Sequence, residues 1–123
     1  MGESYRDLLV WQRSIQMTVA LCQLTASFPK EETYGLSTQL RRAGVSVASN
    51  IAEGYARTST GEYKQFLGMA RGSNSEVQTQ LVIARELGFG SLQVLDKAEG
   101  LSNEVGKMMA AILRSLSFGL RLS

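Results

Sequence analysis

A chain of 123 residues, 44% apolar and 20% charged, is long enough to bury one core without disulfides or metal and too apolar for a disordered chain. Thirteen basic against eleven acidic residues leave a net charge of +2, short of the strong excess of a dedicated nucleic-acid binder, although a basic face can still be segregated in space. One cysteine, Cys22, rules out an intrachain disulfide; no apolar run reaches the roughly 18 residues of a membrane span, and the N-terminus lacks a secretory pattern, so the expectation is a cytoplasmic protein with no membrane partner.

The only proline is Pro29, and no alternating, strand-like segment stands out. The first helix is predicted from Ser4, where Ser4-Tyr5-Arg6-Asp7 reads as a capping box, to Ser27 before Phe28-Pro29. The second spans about 36–55. The third opens at a further capping box, Ser59-Thr60-Gly61-Glu62, and runs to Leu87, with Gly88 as a left-handed cap. Ser91 caps the fourth, over about 91–116, and a loose tail follows from Phe118. The expectation is one all-α domain over 1–123, an antiparallel up-down four-helix bundle.

The first helix carries two apolar stripes. Leu8, Trp11, Ile15, Val19 and Cys22 form one; Val10, Met17, Leu21, Leu24 and Phe28 form the other, separated by a narrow band of glutamines. A single core contact needs one stripe, and an exposed second stripe would leave a large apolar patch on a monomer. The second stripe is therefore assigned to a subunit interface; the alternative is a wide core contact with the C-terminal tail as cover. Cys22 reads as a small core residue. The second helix is rich in small residues, among them Ala43, Gly44, Ala48, Ala52 and Gly54, which suits close helix packing. Asn50, at the edge of its apolar stripe, calls for a hydrogen-bond partner, with Ser73 and Asn74 as candidates.

There is no histidine, which removes Ser-His-Asp and Cys-His catalysis and the common zinc and di-iron ligand sets. Glu53, Glu62, Glu76 and Glu86 are scattered around their helices, so no metal or cofactor is expected. Ser27-Phe28-Pro29-Lys30 and Gly88-Phe89-Gly90 match catalytic and dinucleotide motifs formally, but one closes a helix and the other is a turn with no strand before it. No catalytic residue is assigned.

The basic residues carry more. Lys64, Arg71 and Arg85 recur at seven and fourteen on the third helix, a line of roughly 30 Å. Arg57 precedes it by seven, and Arg41 and Arg42 lie on the second helix. Cations in a track suit phosphates, and guanidinium groups bind them bidentately. The alternative is a solvated face, or ion pairs with Glu53, Glu76 or Glu86; Arg71 has a structural alternative of its own. No aromatic series interleaves the line, so contact is expected to be electrostatic, tolerant of sequence and steeply salt-dependent.

Several segments together carry a resemblance. They are Tyr5-Arg6-Asp7-Leu8 with Val10-Trp11-Gln12, Phe28-Pro29-Lys30-Glu31-Glu32 with Tyr34-Gly35-Leu36, Gln39-Leu40-Arg41-Arg42-Ala43, and Ser49-Asn50-Ile51-Ala52-Glu53-Gly54. Glu62-Tyr63 with Gln65-Phe66-Leu67, Ala70-Arg71-Gly72-Ser73 and Thr79-Gln80-Leu81 complete the set. In order and spacing over about 5–88, the chain resembles the four-helix bundle proteins encoded in intervening sequences of bacterial 23S ribosomal RNA genes, a group that includes the accessory protein of diversity-generating retroelements. The resemblance implies a ring-shaped homopentamer, with RNA or DNA and a protein such as a polymerase as partner classes. Ala48 stands where relatives often have proline, and Asn74 where an aliphatic residue is common. The expectation is a non-enzymatic, oligomeric bundle binding nucleic acid, with a protein-interaction scaffold as the alternative.

Overall fold

The computed structural model describes residues 4–119. Among them it is all-α, with no strand: α1 (Leu9–Thr25), α2 (Leu36–Tyr55), α3 (Thr60–Leu87) and α4 (Leu92–Ser117), with short 3-10 turns at Tyr5–Asp7 and Lys30–Glu32. The starts of α3 and α4 have a side-chain cause. Ser59 Oγ accepts from the Glu62 N–H, and Ser91 Oγ accepts from the Val94 N–H. Gly88, at φ 71°, ends α3 in the left-handed conformation. No such residue caps α2; instead Glu32 reaches forward from the 3-10 turn, and its Oε1 accepts from the Leu36 N–H at 3.2 Å.

The first helix corrects the expectation of a start at Ser4. Ser4 does cap, accepting from the Arg6 N–H, but it caps only the Tyr5–Asp7 turn. Leu8 is then extended, and the α-helix begins at Leu9. The break lets Leu8 enter the core, where it is almost fully buried. It also folds Tyr5 back onto Trp11, ring centroids 5.3 Å apart and edge to face, while Gln12 Nε2 donates to the Arg6 carbonyl.

α1 packs against α2 and α4, and α3 packs against the same two; the diagonal pairs do not meet. The core between them is built from Met17, Leu21 and Leu24 of α1, Leu40, Val47 and Ile51 of α2, Tyr63, Leu67 and Leu81 of α3, and Leu95, Val105 and Met109 of α4. Notches let the backbones approach. A Cβ on Gly44 would stand 2.9 Å from Leu21 Cδ1 and 3.1 Å from Thr18 Oγ1; one on Gly54 would stand 2.7 Å from Phe66 Cβ.

Those notches decide which stripe of α1 turns inward. Val10, Met17, Leu21, Leu24 and Phe28, assigned above to a subunit interface, are all buried within the single chain. Leu21 seats in the Gly44 notch, and Phe28 meets Phe89 with ring centroids 5.5 Å apart. The other stripe faces out beyond Leu8: Trp11 is half-buried, Ile15 and Val19 are 37% and 51% exposed, and Cys22 is exposed rather than a core residue.

Several polar groups inside the bundle link one helix to the next. Asn50 Nδ2 donates to the Ser46 carbonyl and lies 3.1 Å from Ser46 Oγ, which in turn bonds Ser73 Oγ at 2.8 Å. Gln80 Nε2 donates to Gln39 Oε1 further along the same interface. Asn74 faces α4 instead, bonding Ser102. Arg85 reaches Asp96, so the end of α3 meets the start of α4.

Candidate nucleic-acid interface

The structure divides the six predicted cations. Arg85 is taken up by Asp96 and Glu99, at 2.7 and 3.5 Å, and the hydrogen bond to Asp96 is the main reason its pKa is raised. Arg57 lies 3.3 Å from Glu53 and 3.9 Å from Glu62, with its guanidinium 4.8 Å above the Phe66 ring. Arg41 Nε donates to Thr25 Oγ1 at 2.9 Å, bracing α2 against α1. Arg42 is exposed and shares a groove with Glu76 between α2 and α3. Lys64 and Arg71 are exposed, and neither has an ion pair or side-chain hydrogen bond within the described residues. The line on α3 is therefore broken at both ends: committed guanidiniums at 57 and 85, free cations at 64 and 71.

α4 supplies the other half, which the sequence reading did not single out. Lys107 and Arg114 are seven apart, exposed, and likewise without a partner in the described residues. On α3 no carboxylate occurs between Glu62 and Glu76, and on α4 none follows Glu104. Two seven-residue cation pairs, each spanning about 10 Å along its helix, thus stand on acid-free stretches of neighbouring helices. The available signal was this charge gap and the repeated spacing of seven; it falls in a helix without a familiar motif.

Local structure keeps this face open. On the α3 side, Gly68 and Gly72 flank Arg71, and a Cβ at either position would meet nothing within 4 Å. Arg71 and Arg114 both line a cleft of about 520 Å³, with Ala110, Leu113, Ser117 and Phe118 as the rest of its lining. Phe118 closes α4. Its N–H donates to the Ser115 carbonyl and the Gly119 N–H to the Leu116 carbonyl, with Gly119 at φ 80°. These bonds tie down Phe118 and Gly119, the first residues of the tail expected to be loose; 120–123 lie outside the described residues.

A second surface feature lies on the opposite side of the sequence. Tyr5, Trp11, Ile15 and Thr18 line one wall of a shallow apolar groove, and Val45, Ala48, Ser49 and Ala52 the other. Val45 is 52% exposed. No group of three or more potential metal-ligating side chains converges among the described residues, and none of their helices is long and apolar enough to cross a membrane.

A family model described as 23S rRNA-intervening sequence protein matches residues 6–111. Among solved structures, the chain is similar to a crystal structure from Bacteroides thetaiotaomicron, described as a protein with unknown function from the S23 ribosomal protein family. The two are 20% identical and superimpose with a TM-score of 0.79 over 86% of this chain and 99% of that one, a likeness that speaks to the fold alone. No curated protein matches the chain.

Proposed function

The chain belongs to the 23S rRNA-intervening sequence protein family, and from that premise we propose that it is a cytoplasmic, non-enzymatic helical bundle that contacts the phosphates of RNA or DNA through the α3–α4 face. The observation that carries the reading is the set of exposed, unpartnered cations Lys64, Arg71, Lys107 and Arg114 on acid-free stretches of two adjacent helices. Cations already committed to carboxylates have part of their field cancelled; these four do not. Their geometry favours phosphate positioning over base readout, so binding is tolerant of sequence.

The bundle is read as up-down and antiparallel. In support, Ser46 pairs with Ser73 while Gln39 pairs with Gln80, and Asn74 pairs with Ser102 while Arg85 pairs with Asp96. On each interface one partner's number rises as the other's falls. The bundle assembles as a cyclic homo-oligomer, a pentamer by family resemblance. The exposed apolar row of Ile15, Val19 and Val45, with the groove beside it, supports an interface on the outward side of α1 and α2 rather than on the stripe first assigned. Repetition around a ring multiplies a weak local contact by avidity.

The test is fluorescence anisotropy with labelled RNA and DNA at low and moderate salt. Binding that weakens steeply with salt is expected, with a log–log slope of about −0.9 per phosphate neutralised on duplex DNA. No binding of either nucleic acid at low salt sinks the reading.

A further inference from the structure

We infer that the cleft between α3 and α4 is a pocket for one unpaired nucleotide of a single strand, with its phosphate held between Arg71 and Arg114 and its base stacked on Phe118. The inference rests on the nucleic-acid reading above and names the state of the strand that this face selects.

The lining of the cleft combines the two kinds of group that a nucleotide needs. Arg71 of α3 and Arg114 of α4, neither with a partner in the described residues, both line it. Two such side chains present flat forks of N–H donors, the geometry that suits phosphate oxygens. Leu113 and Phe118 add apolar lining, and Phe118 is 82% exposed. The cleft's volume of about 520 Å³ falls within the range of roughly 300–1,000 Å³ common for small-ligand pockets.

Two details orient the ligand. Ser117 Oγ donates its proton to the Leu113 carbonyl at 3.0 Å, so toward the cleft the hydroxyl offers only lone pairs. It therefore accepts from a ribose hydroxyl or a base N–H and does not donate to phosphate. Arg114, in the last turn of α4, offsets the partial negative charge of that helix's carbonyl end where the phosphate would sit, and Phe118, one turn on, is left for the base. The capping bonds of Phe118 and Gly119 hold the backbone beneath the ring, so less ordering is needed on binding than for an aromatic on a free tail. A base inside a duplex is stacked and paired on both sides and cannot present its face to Phe118; an unpaired base can.

Anisotropy of the intact protein with a labelled single-stranded oligonucleotide, and with the same strand in a duplex, tests this, using F118A, F118W and the R71A/R114A pair. F118A is expected to weaken single-strand binding by about five- to a hundred-fold, to leave duplex binding unchanged, and to be rescued by F118W. R71A/R114A is expected to weaken both. Equal losses for both forms of nucleic acid in F118A, or no loss, overturn the stacking pocket while leaving the phosphate-binding reading in place. Absence of any binding by the wild type overturns both. A change in assembly mass by light scattering in F118A assigns the ring to a subunit contact and also overturns the inference.

Discussion

Asn74 and Ser102 exchange two hydrogen bonds across the α3–α4 interface: Ser102 Oγ donates to Asn74 Oδ1 at 2.8 Å, and Asn74 Nδ2 donates to the Ser102 carbonyl at 3.0 Å. Both residues are buried. Gly106, one turn further along α4, leaves room for the amide, since a Cβ there would lie 3.3 Å from Asn74 Nδ2. A polar pair of this kind is costly to half-remove, because the remaining partner loses its bond without regaining water. N74A should therefore destabilise the fold by about 2–3 kcal/mol in urea unfolding. The N74L/S102A double variant, which removes both side-chain partners and keeps the branched shape at 74, should recover most of that loss. Equal losses in the single and double variants would show that packing, not the hydrogen bonds, sets the cost.

The glycines of the helices should split by sign. G54A forces a Cβ to within 2.7 Å of Phe66 Cβ and must push α2 away from α3. It should cost about 1–3 kcal/mol even though alanine is the better helix former. G100A places its methyl where nothing lies within 4 Å and should stabilise by about 0.5–1 kcal/mol. Thermal or urea denaturation of the two variants side by side checks the opposition.

Charge substitutions on α1 should separate assembly from folding. I15K with V45K places two charges on the outward groove and should lower the mass seen by light scattering while the helical circular dichroism signal is retained. M17K puts a charge in the sealed core and should unfold the chain outright. An I15K/V45K protein of unchanged mass would move the interface elsewhere.

The free and the committed cations should also behave differently. K64E with K107E should weaken binding of labelled duplex DNA by more than tenfold at low salt and flatten its salt dependence. R85A should have a much smaller effect on binding, because its charge already faces Asp96 and Glu99. A binding loss in R85A as large as in K64E/K107E would restore the full-length line on α3.

These contrasts mark where sequence and structure part. Ser59, Gly88 and Ser91 announce their helix ends because capping is a local event, decided within four residues. The two stripes of α1 were equally visible, but their ranking was not. Which one turns inward depends on how Leu21 and Thr18 fit the Gly44 notch of a different helix, and periodicity along α1 carries no information about that rotation. Ser4 gave a true cap signal for the wrong element, because burial of Leu8 overrides continuation of the turn. The candidate site was half legible for the same reason. Spacing of seven finds Lys64 and Arg71 and recurs at Lys107 and Arg114, but only the packing of α4 reveals that Arg85 is occupied by Asp96 and that the two pairs stand on neighbouring helices.

The pairing of Arg85 with Asp96 has a consequence on the scale of the whole particle. Residues 76–104, the half of the α3–α4 hairpin around that pair, hold five carboxylates and two cations, whereas the opposite half, 60–75 with 105–117, holds four cations and one carboxylate. The hairpin is therefore electrically polarised along its length. Copies related by a single rotation axis keep the component of that polarity along the axis, while the components across it cancel. A cyclic assembly with its hairpins aligned to the axis would then have one positive and one negative pole. A polyanion would be drawn to it from a single direction, and two such assemblies would meet pole to opposite pole, a preference that added salt should abolish.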